Sequence, residues 1–392
     1  MRPHPFSALV AIGLIAIAGA AHAPDSPSSL YVNASLGDDS NPGTAERPLR
    51  SLSAALARLP DPVTQSVTIN VAAGRLASTG GAGMPDNRLD LARRMRPDVK
   101  VTIAGGRGSD GPPALAWEGA EAMVHATEGH WRLSNLQIGS GSARQRRGVM
   151  VTGPARVELR GVAFRTRSQS DAAVYAHRGG RAVLNGAIEV NAPFHDALPG
   201  GDSFSGLIAT DHGSIAYGER AGATLSLGNG SLSARYYGTI ELNCEQARIT
   251  SWGEQSNCIA VNNSGRVDLH GTPVRLCAKR KGNTPIGLEH DGHVLAEGAR
   301  ITIEGTNDDA IVLQKASSFF CNDVELKGAF RRAAWAMSGS MLLAGFIGTV
   351  GAIEADTGAH IAVERIEGKL EGPVVARRCG SVALPDRNVT SR

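Results

Sequence analysis

The chain predicts an all-β fold, a single-domain parallel β-helix, on three observations. It pairs 48 glycines with only 4% aromatic residues and many Val, Ile, Leu and Ala, the alphabet of short strands joined by tight turns. Beyond Arg58 it carries no extended amphipathic helix pattern, apart from a stretch around Leu89 to Met95. From Gly129 to Gly380, a small residue followed two positions later by an apolar one recurs every 20 to 27 residues, with one longer step of 33.

Residues 1–21 read as a secretory signal peptide: Arg2, then the apolar run FSALVAIGLIAIAGAA, then small residues. Cleavage after Ala20 or Ala21 is expected, because cleavage after Ala23 would put Pro24 first in the mature chain. The longest later apolar stretch, MLLAGFIGTVGAI, is interrupted by glycine and shorter than the roughly 20 residues of a membrane span. The mature protein is therefore expected to be secreted or periplasmic, not inserted in a membrane, and monomeric. A net charge of +3 gives no support to nucleic-acid binding. Five cysteines leave at least one unpaired in a monomer, and small buried thiols compete with disulfides as the reading of the rest.

Residues 22–62 hold an acidic turn and a short helix. Leu49, Leu52, Ala55, Leu56 and Leu59 share one helical face, ended by Pro60 and Pro62. A stacked rod exposes core and strand edges at its ends, so this helix is expected to cap the first coil. GDDSNPGT is then the turn leading into it, with Asp38 and Asp39 solvated or bound to loop amides.

Residues 63–392 carry the repeat. The anchors are Gly129, Ala155, Gly180, Gly213, Gly238, Gly265, Gly292, Ser317, Gly339, Ala359 and Gly380, each with a short alternating strand on either side. CIAVNNSGRVDLHGTPVRL aligns in its apolar positions with PIGLEHDGHVLAEGARITI and DAIVLQKASSFFCNDVEL. Leucine-rich repeats share this length but show a fixed Leu and Asn pattern that is absent. Eleven coils rising about 4.8 Å each give a rod on the order of 50 Å.

The stretches YVNASLGDDSNPGTAERPLRSLSAAL, VTINVAAG, VKVTIAGG and HWRLSNLQI resemble the opening of secreted right-handed parallel β-helix proteins of the pectin-lyase-like superfamily. The coil pattern extends this resemblance over nearly all of the mature chain. It implies a right-handed coil and a carbohydrate neighbourhood that includes lyases, hydrolases, epimerases and proteins of no known activity. It implies no particular reaction.

Turn residues of successive coils stack into surface columns. The three positions before each anchor run through His177, Asp211 and His212, Arg235, Tyr236 and Tyr237, Asn262, Glu289, His290 and Asp291, and Lys315, then become bland at Met337 and Ser338. On an acidic polysaccharide this set suits β-elimination: a cation neutralises the uronate carboxylate so that its neighbouring proton can leave to a base. The candidate catalytic residues are Arg235 and Lys315 as cations, with His212, Tyr237 and His290 as base or acid. His177, Asp211, Tyr236, Asn262, Glu289 and Asp291 are candidate substrate contacts. No cofactor is required, although Asp211, Glu289 and Asp291 offer carboxylates that Ca²⁺ would use. A turn column on any solenoid is polar, which is the competing explanation.

A second candidate is the pair Asp308 and Asp309 in GTNDDAIVL, which resembles the paired aspartates of polygalacturonase-type hydrolases. The other motifs of that group do not follow in order, and a polar turn feeding the next strand is the preferred explanation of Asn307 to Asp309. Basic loops recur at Arg144, Arg146 and Arg147, at Arg165 and Arg167, at Lys279, Arg280 and Lys281, and at Arg331 and Arg332. The long step carries the insertion NAPFHDALPGGDSF. Such loops suit an anionic glycan. Three functions stay open: a lyase on an acidic polysaccharide, a non-catalytic glycan-binding module, and a structural cell-surface rod. The last is favoured by the scarcity of stacking aromatics, with only Tyr236, Tyr237 and Trp252 placed to serve.

Overall fold

The computed structural model describes residues 28–76, 89–106, 111–115, 122–139, 147–165, 172–191, 205–228, 230–251, 257–279, 284–306, 309–386 and 388–390. Residues 1–21, read above as a signal peptide, Trp252, Asn307, Asp308, the cations Arg144, Arg146, Arg167, Arg280 and Lys281, and residues 192–204 of the insertion lie outside them.

Short alternating apolar runs, broken by glycine-containing turns and without a sustained helical period, produce an all-β chain with almost no helix. Among the described residues the strands form two large sheets. One has twelve strands, all parallel; the other has twenty-one, parallel except where Ser381–Ala383 meets Asn388–Thr390. The chain alternates between them: Ala172–His177 lies in the twelve-stranded sheet, Arg181–Asn191 in the larger one, and Ser205–Ala209 in the first again. Each pass pairs with the equivalent pass before it, in the register Arg181↔Ser214, Ser214↔Thr239, Thr239↔Arg266, Arg266↔His293 and His293↔Ser318.

This register bears out the repeat except at one position. Ser318 pairs with Met341, so Ser340, not Gly339, occupies the anchor position there. GSML satisfies the small-x-apolar pattern in two overlapping ways, and burial decides between them: Leu342 is buried whereas Met341 is 58% exposed. Gly339 belongs to the preceding turn, where its φ of 73° suits a residue without Cβ.

Long strands of the larger sheet run round a corner. Arg156–Arg165 pairs first with His130–Ser134 and then with Gln137–Ile138, with Gly161 at φ 59° at the bend. Inward residues of both sheets meet in one apolar core. Leu232, Ala234, Ile259, Val261, Ile286, Leu288, Ile311 and Leu313 contribute from one wall, and Trp131, Phe164, Phe319 and Phe346 are among its largest fully buried side chains. Burying each such Leu, Ile or Phe is worth roughly 1.5–3 kcal/mol, which makes this ladder of apolar rungs the main source of stability.

The helix near the N-terminal end covers only Leu52–Ala57, shorter than the Leu49 to Leu59 face, and buries Leu52, Ala55 and Leu56. Leu49 instead bridges Val32. Asp39 accounts for the sharp start: its Oδ1 accepts the backbone N–H groups of Arg50 (2.9 Å) and Ser51 (2.8 Å), while the Ser51 hydroxyl accepts from Ala54 N–H at 3.1 Å. Asp38 accepts from the Ser40 amide and hydroxyl, which hold its carboxyl below the ordinary value. Around Leu89 to Met95 the structure has a strand, Leu89–Leu91, whose Leu89 and Leu91 are buried and Asp90 exposed, so period two overrides the helical spacing.

Candidate functional site

The turn joining the twelve-stranded sheet to the larger one is the same on successive rungs: two consecutive residues with left-handed φ. They are Arg178 and Gly179, Asp211 and His212, Tyr236 and Tyr237, Asn263 and Ser264, His290 and Asp291, Lys315 and Ala316. An L-residue pays about 1–2 kcal/mol for this conformation. The cost is offset along the column, because the second residue's N–H donates to the first residue's carbonyl one rung on. His212 donates to Tyr236 (3.3 Å), Tyr237 to Asn263 (3.2 Å), Ser264 to His290 (3.0 Å), Asp291 to Lys315 (2.9 Å) and Ala316 to Ser338 (2.9 Å). The anchor residue must be small as well: a Cβ on Gly238 would lie 2.1 Å from the carbonyl oxygen of Ala209.

This ladder divides the candidate residues by position in the turn. Arg235, Asn262 and Glu289 end strands of the twelve-stranded sheet, just before the turns, and Gln314 directly follows the strand Asp309–Leu313. His290 and Lys315 come next, as the first left-handed residues of consecutive rungs. Lys315 Nζ donates to Glu289 Oε1 and to His290 Nε2, both at 2.8 Å, and His290 Nδ1 lies 3.5 Å from Glu289 Oε1. That hydrogen bond from Lys315 holds the Glu289 carboxyl below its ordinary value. An ammonium on Nε2 also requires that nitrogen to be the acceptor, leaving the imidazole proton on Nδ1 towards Glu289.

His212, Tyr237 and Asp291, all second left-handed residues, make different contacts. The rings of His212 and Tyr237 stack at 5.1 Å with 5° between planes. Asp291 accepts from Ser264 Oγ at 3.1 Å and lies 3.3 Å from His293 Nε2, on the larger sheet. Asp211 and Tyr236 take the first left-handed position, as His290 and Lys315 do, and Tyr236 is 52% exposed. His177 stands apart with Tyr175, at 5.0 Å between ring centroids; burial first, then Arg178 and Arg147, lower its pKa. The Ca²⁺ set therefore scatters, with Glu289 held by Lys315 and Asp291 by Ser264. Among the described residues, no three His, Cys, Asp or Glu side chains are grouped to hold a metal ion.

Beside Glu289 is a concavity. Register places Ile208, Ser233, Ala260, Gly287, Val312 and Trp335 in one row across the outer face of the twelve-stranded sheet. Its middle members are small. Arg235 Nε donates to Ser233 Oγ at 2.8 Å and so lies along the outer face at one end. Over Ala260 and Gly287 opens a pocket of about 210 Å³, edged by Asn257, Asn262, Thr284, Glu289, Val312 and Gln314. Its rim is rich in amides, one hydroxyl and one carboxylate, groups that pair with sugar hydroxyls. A Cβ on Gly287 would lie 2.2 Å from Asn257 Nδ2, so this glycine makes room for the amide. Asn257, Thr284 and Gly287 are absent from the sequence-derived site. The signal for them is the small residue recurring in LSAR, IAVN and IGLE, visible once those strands are aligned on their turns. A second concavity of about 250 Å³ near Tyr31, Asn33 and Asn70 lies at the N-terminal end and contains none of the turn-column residues.

Asp309 has a different role from the one the paired-aspartate pattern suggests. Arg332, one rung on, grips it through Nε (2.5 Å) and Nη2 (2.7 Å), and both side chains are about nine-tenths buried. Arg332 also reaches Glu354 at 3.3 Å and lies 3.7 Å from the Trp335 ring centroid. A carboxylate gripped this way is part of the wall, not a proton donor poised in a cleft.

No family model matches the chain, and no curated protein does. Among solved structures it is similar to a GH136 lacto-N-biosidase from Eubacterium ramulus. The selenomethionine derivative gives a TM-score of 0.38 and the native protein 0.34, each at 11% identity over 91% of this chain and 68% of that one. Likeness of this order carries neither substrate nor reaction to this chain.

Proposed function

We propose that the chain is an exported right-handed parallel β-helix, with Leu52–Ala57 lying over its first coil, that binds an acidic polysaccharide across the outer face of the twelve-stranded sheet. The observation that carries this reading is the pocket over Ala260 and Gly287, set between two cations, Arg235 and Lys315, and rimmed by Asn257, Asn262, Thr284, Glu289 and Gln314. Sugar hydroxyls pair with the amides, and the uronate carboxylate with Arg235 and Lys315.

The contact of Lys315 with His290 favours β-elimination as the chemistry. A uronate carboxylate that draws Lys315 away leaves His290 Nε2 with an open lone pair and Glu289 facing its Nδ1–H. His290 then takes the C5 proton, the C–H electrons form the C4–C5 double bond, the C4–O bond breaks, and solvent protonates the departing oxygen. Hydrolysis by a carboxylate pair has less support, since Asp309 is held by Arg332 and Glu289 by Lys315.

Incubation of the mature protein with pectate, alginate, hyaluronan and chondroitin sulfate, followed at about 235 nm for unsaturated uronate, tests this chemistry. A rise that His290→Ala abolishes supports it. Affinity for one of these polymers with no rise would reduce the reading to a binding module, and no affinity for any would end it.

A further inference from the structure

At the C-terminal end of the larger sheet, the strand His360–Leu370 pairs along one edge with Met341–Val350 through its whole length. On its other edge only His360, Ile361 and Ala362 are paired, with Ser381–Ala383. Among the described residues, no strand pairs with the outer edge of Arg365–Leu370. Open edges of this kind recruit another strand unless something blunts them.

We propose that this edge is the interface of a two-fold homodimer, formed by antiparallel pairing of the segment RIEGKLE, Arg365 to Glu371, with its copy. The segment is self-complementary. Turned about a two-fold axis at Gly368, Arg365 faces Glu371 of the second copy, Ile366 faces Leu370, and Glu367 faces Lys369. Every cross-strand pair is thus either opposite in charge or apolar on both sides, and the glycine on the axis presents no side chain. An isologous interface requires a patch that matches itself, and few seven-residue strands do.

The side chains are poised for this role. Ile366 and Leu370 pack against the core but are only partly buried, as apolar residues of a last rung awaiting a further strand would be. The charged residues are exposed and already paired along their own strand, Arg365 with Glu367 at 3.1 Å and Lys369 with Glu371 at 2.8 Å. Arg365 also contacts Asp323. Dimerisation links these pairs into one alternating ladder without stripping any charge of its present partner. The arrangement replaces the expectation of a monomer and stands apart from the pocket over Gly287, so the glycan reading can fail without touching it.

Sedimentation equilibrium of the mature protein, from low to high micromolar concentration, reads the oligomeric state. The wild type is expected to approach twice the mass of a single chain. Glu367→Lys sets a second lysine opposite Lys369 twice per dimer and is expected to weaken association at least tenfold. Glu367→Lys combined with Lys369→Glu restores opposite charges across the axis and is expected to recover it. Hydrogen exchange should show protection of Ile366 to Leu370 that rises with concentration. A monomer at every concentration, a dimer indifferent to Glu367→Lys, or protection independent of concentration (a segment of the same chain covering the edge) would each overturn the proposal.

Discussion

Lys315 reaches back one rung to hydrogen-bond His290 Nε2 at 2.8 Å while pairing with Glu289 Oε1 at the same distance. Both ends of the ion pair are about half-exposed, so its direct worth to the fold is about 0–1 kcal/mol. On the proposed function, its value lies in aiming a cation and an imidazole at one place. Lys315→Ala should therefore change stability by less than about 1 kcal/mol, yet weaken binding of an acidic polysaccharide on the order of tenfold, equivalent to about 1.4 kcal/mol. Calorimetric titration and thermal melting of the same variant read the two effects separately. Equal affinity in wild type and variant would remove Lys315 from the site.

Gly287 offers a sharper probe of the pocket, because its new Cβ in Gly287→Ala would meet the end of a flexible side chain, Asn257 Nδ2, at 2.2 Å. Asn257 can swing aside, and Gly287 has an ordinary negative-φ backbone, so folding should be nearly unaffected. The displaced amide and the added methyl fill the pocket floor. Affinity for the glycan should fall on the order of tenfold or more with an unchanged melting temperature; undiminished affinity would show that the ligand lies elsewhere.

Arg332 and Asp309 separate a wall residue from a catalytic one. Arg332→Ala removes both hydrogen bonds from the guanidinium and leaves a buried carboxylate with only Arg331, at 3.6 Å, and should cost about 3–5 kcal/mol in urea unfolding. Asp309→Asn keeps an acceptor for the guanidinium and should cost less, with binding per folded molecule unchanged. The reverse pattern, full stability with abolished activity in Asp309→Asn, would restore Asp309 as a general acid.

How far the sequence was legible follows from what each feature requires. The anchors Gly213, Gly238, Gly265 and Gly292 were readable because a Cβ at each would collide with the preceding rung, which forces a small residue at one point of every coil. The slip at Gly339 arose where two small residues adjoin, and only the burial of Leu342 against the exposure of Met341 resolves it. The turn residues were legible as polar side chains in a column. Their division into Glu289, His290 and Lys315 in one set of contacts and His212, Tyr237 and Asp291 in others depends on whether each ends the strand or takes the first or second left-handed position. The pocket was hidden because it is made by small side chains at Ala260 and Gly287, and a polar column draws the eye to the side chains that are present. Asp309 was visible as an acid, but its partner lies 23 residues away and adjacent only through the register.

Glu158 supplies a pH dependence outside the pocket. Burial pushes its carboxyl up, but hydrogen bonds from Arg132 (2.8 Å) and His130 (2.8 Å) outweigh burial and hold it below the ordinary 4.5. A carboxyl depressed in the folded state contributes stability that is present above the ordinary value and lost as pH falls through the lowered one. Glu158→Gln should thus be less stable than wild type at neutral pH, by about 1–3 kcal/mol for charged hydrogen bonds, and the two urea midpoints should converge in acid. A constant gap across that range would show that Glu158 is not the titrating group.

The cysteines turn the question of pairing into a reactivity measurement. None of the five forms a disulfide; Cys244, Cys258, Cys277 and Cys321 are buried and Cys379 is exposed. Burial pushes Cys258 and Cys321 up to about 12, so neither offers a thiolate at mildly alkaline pH even where a reagent reaches it. Cys244 is raised by the same cause. In native protein at about pH 8, a chromogenic disulfide reagent should therefore release one equivalent rapidly and the remainder only after denaturant is added. Cys379→Ser should erase the fast phase and leave the slow one intact. Three equivalents from the unreduced, denatured chain, with the fast phase intact, would mean that two of the buried thiols have joined in the core and that Cys379 has not.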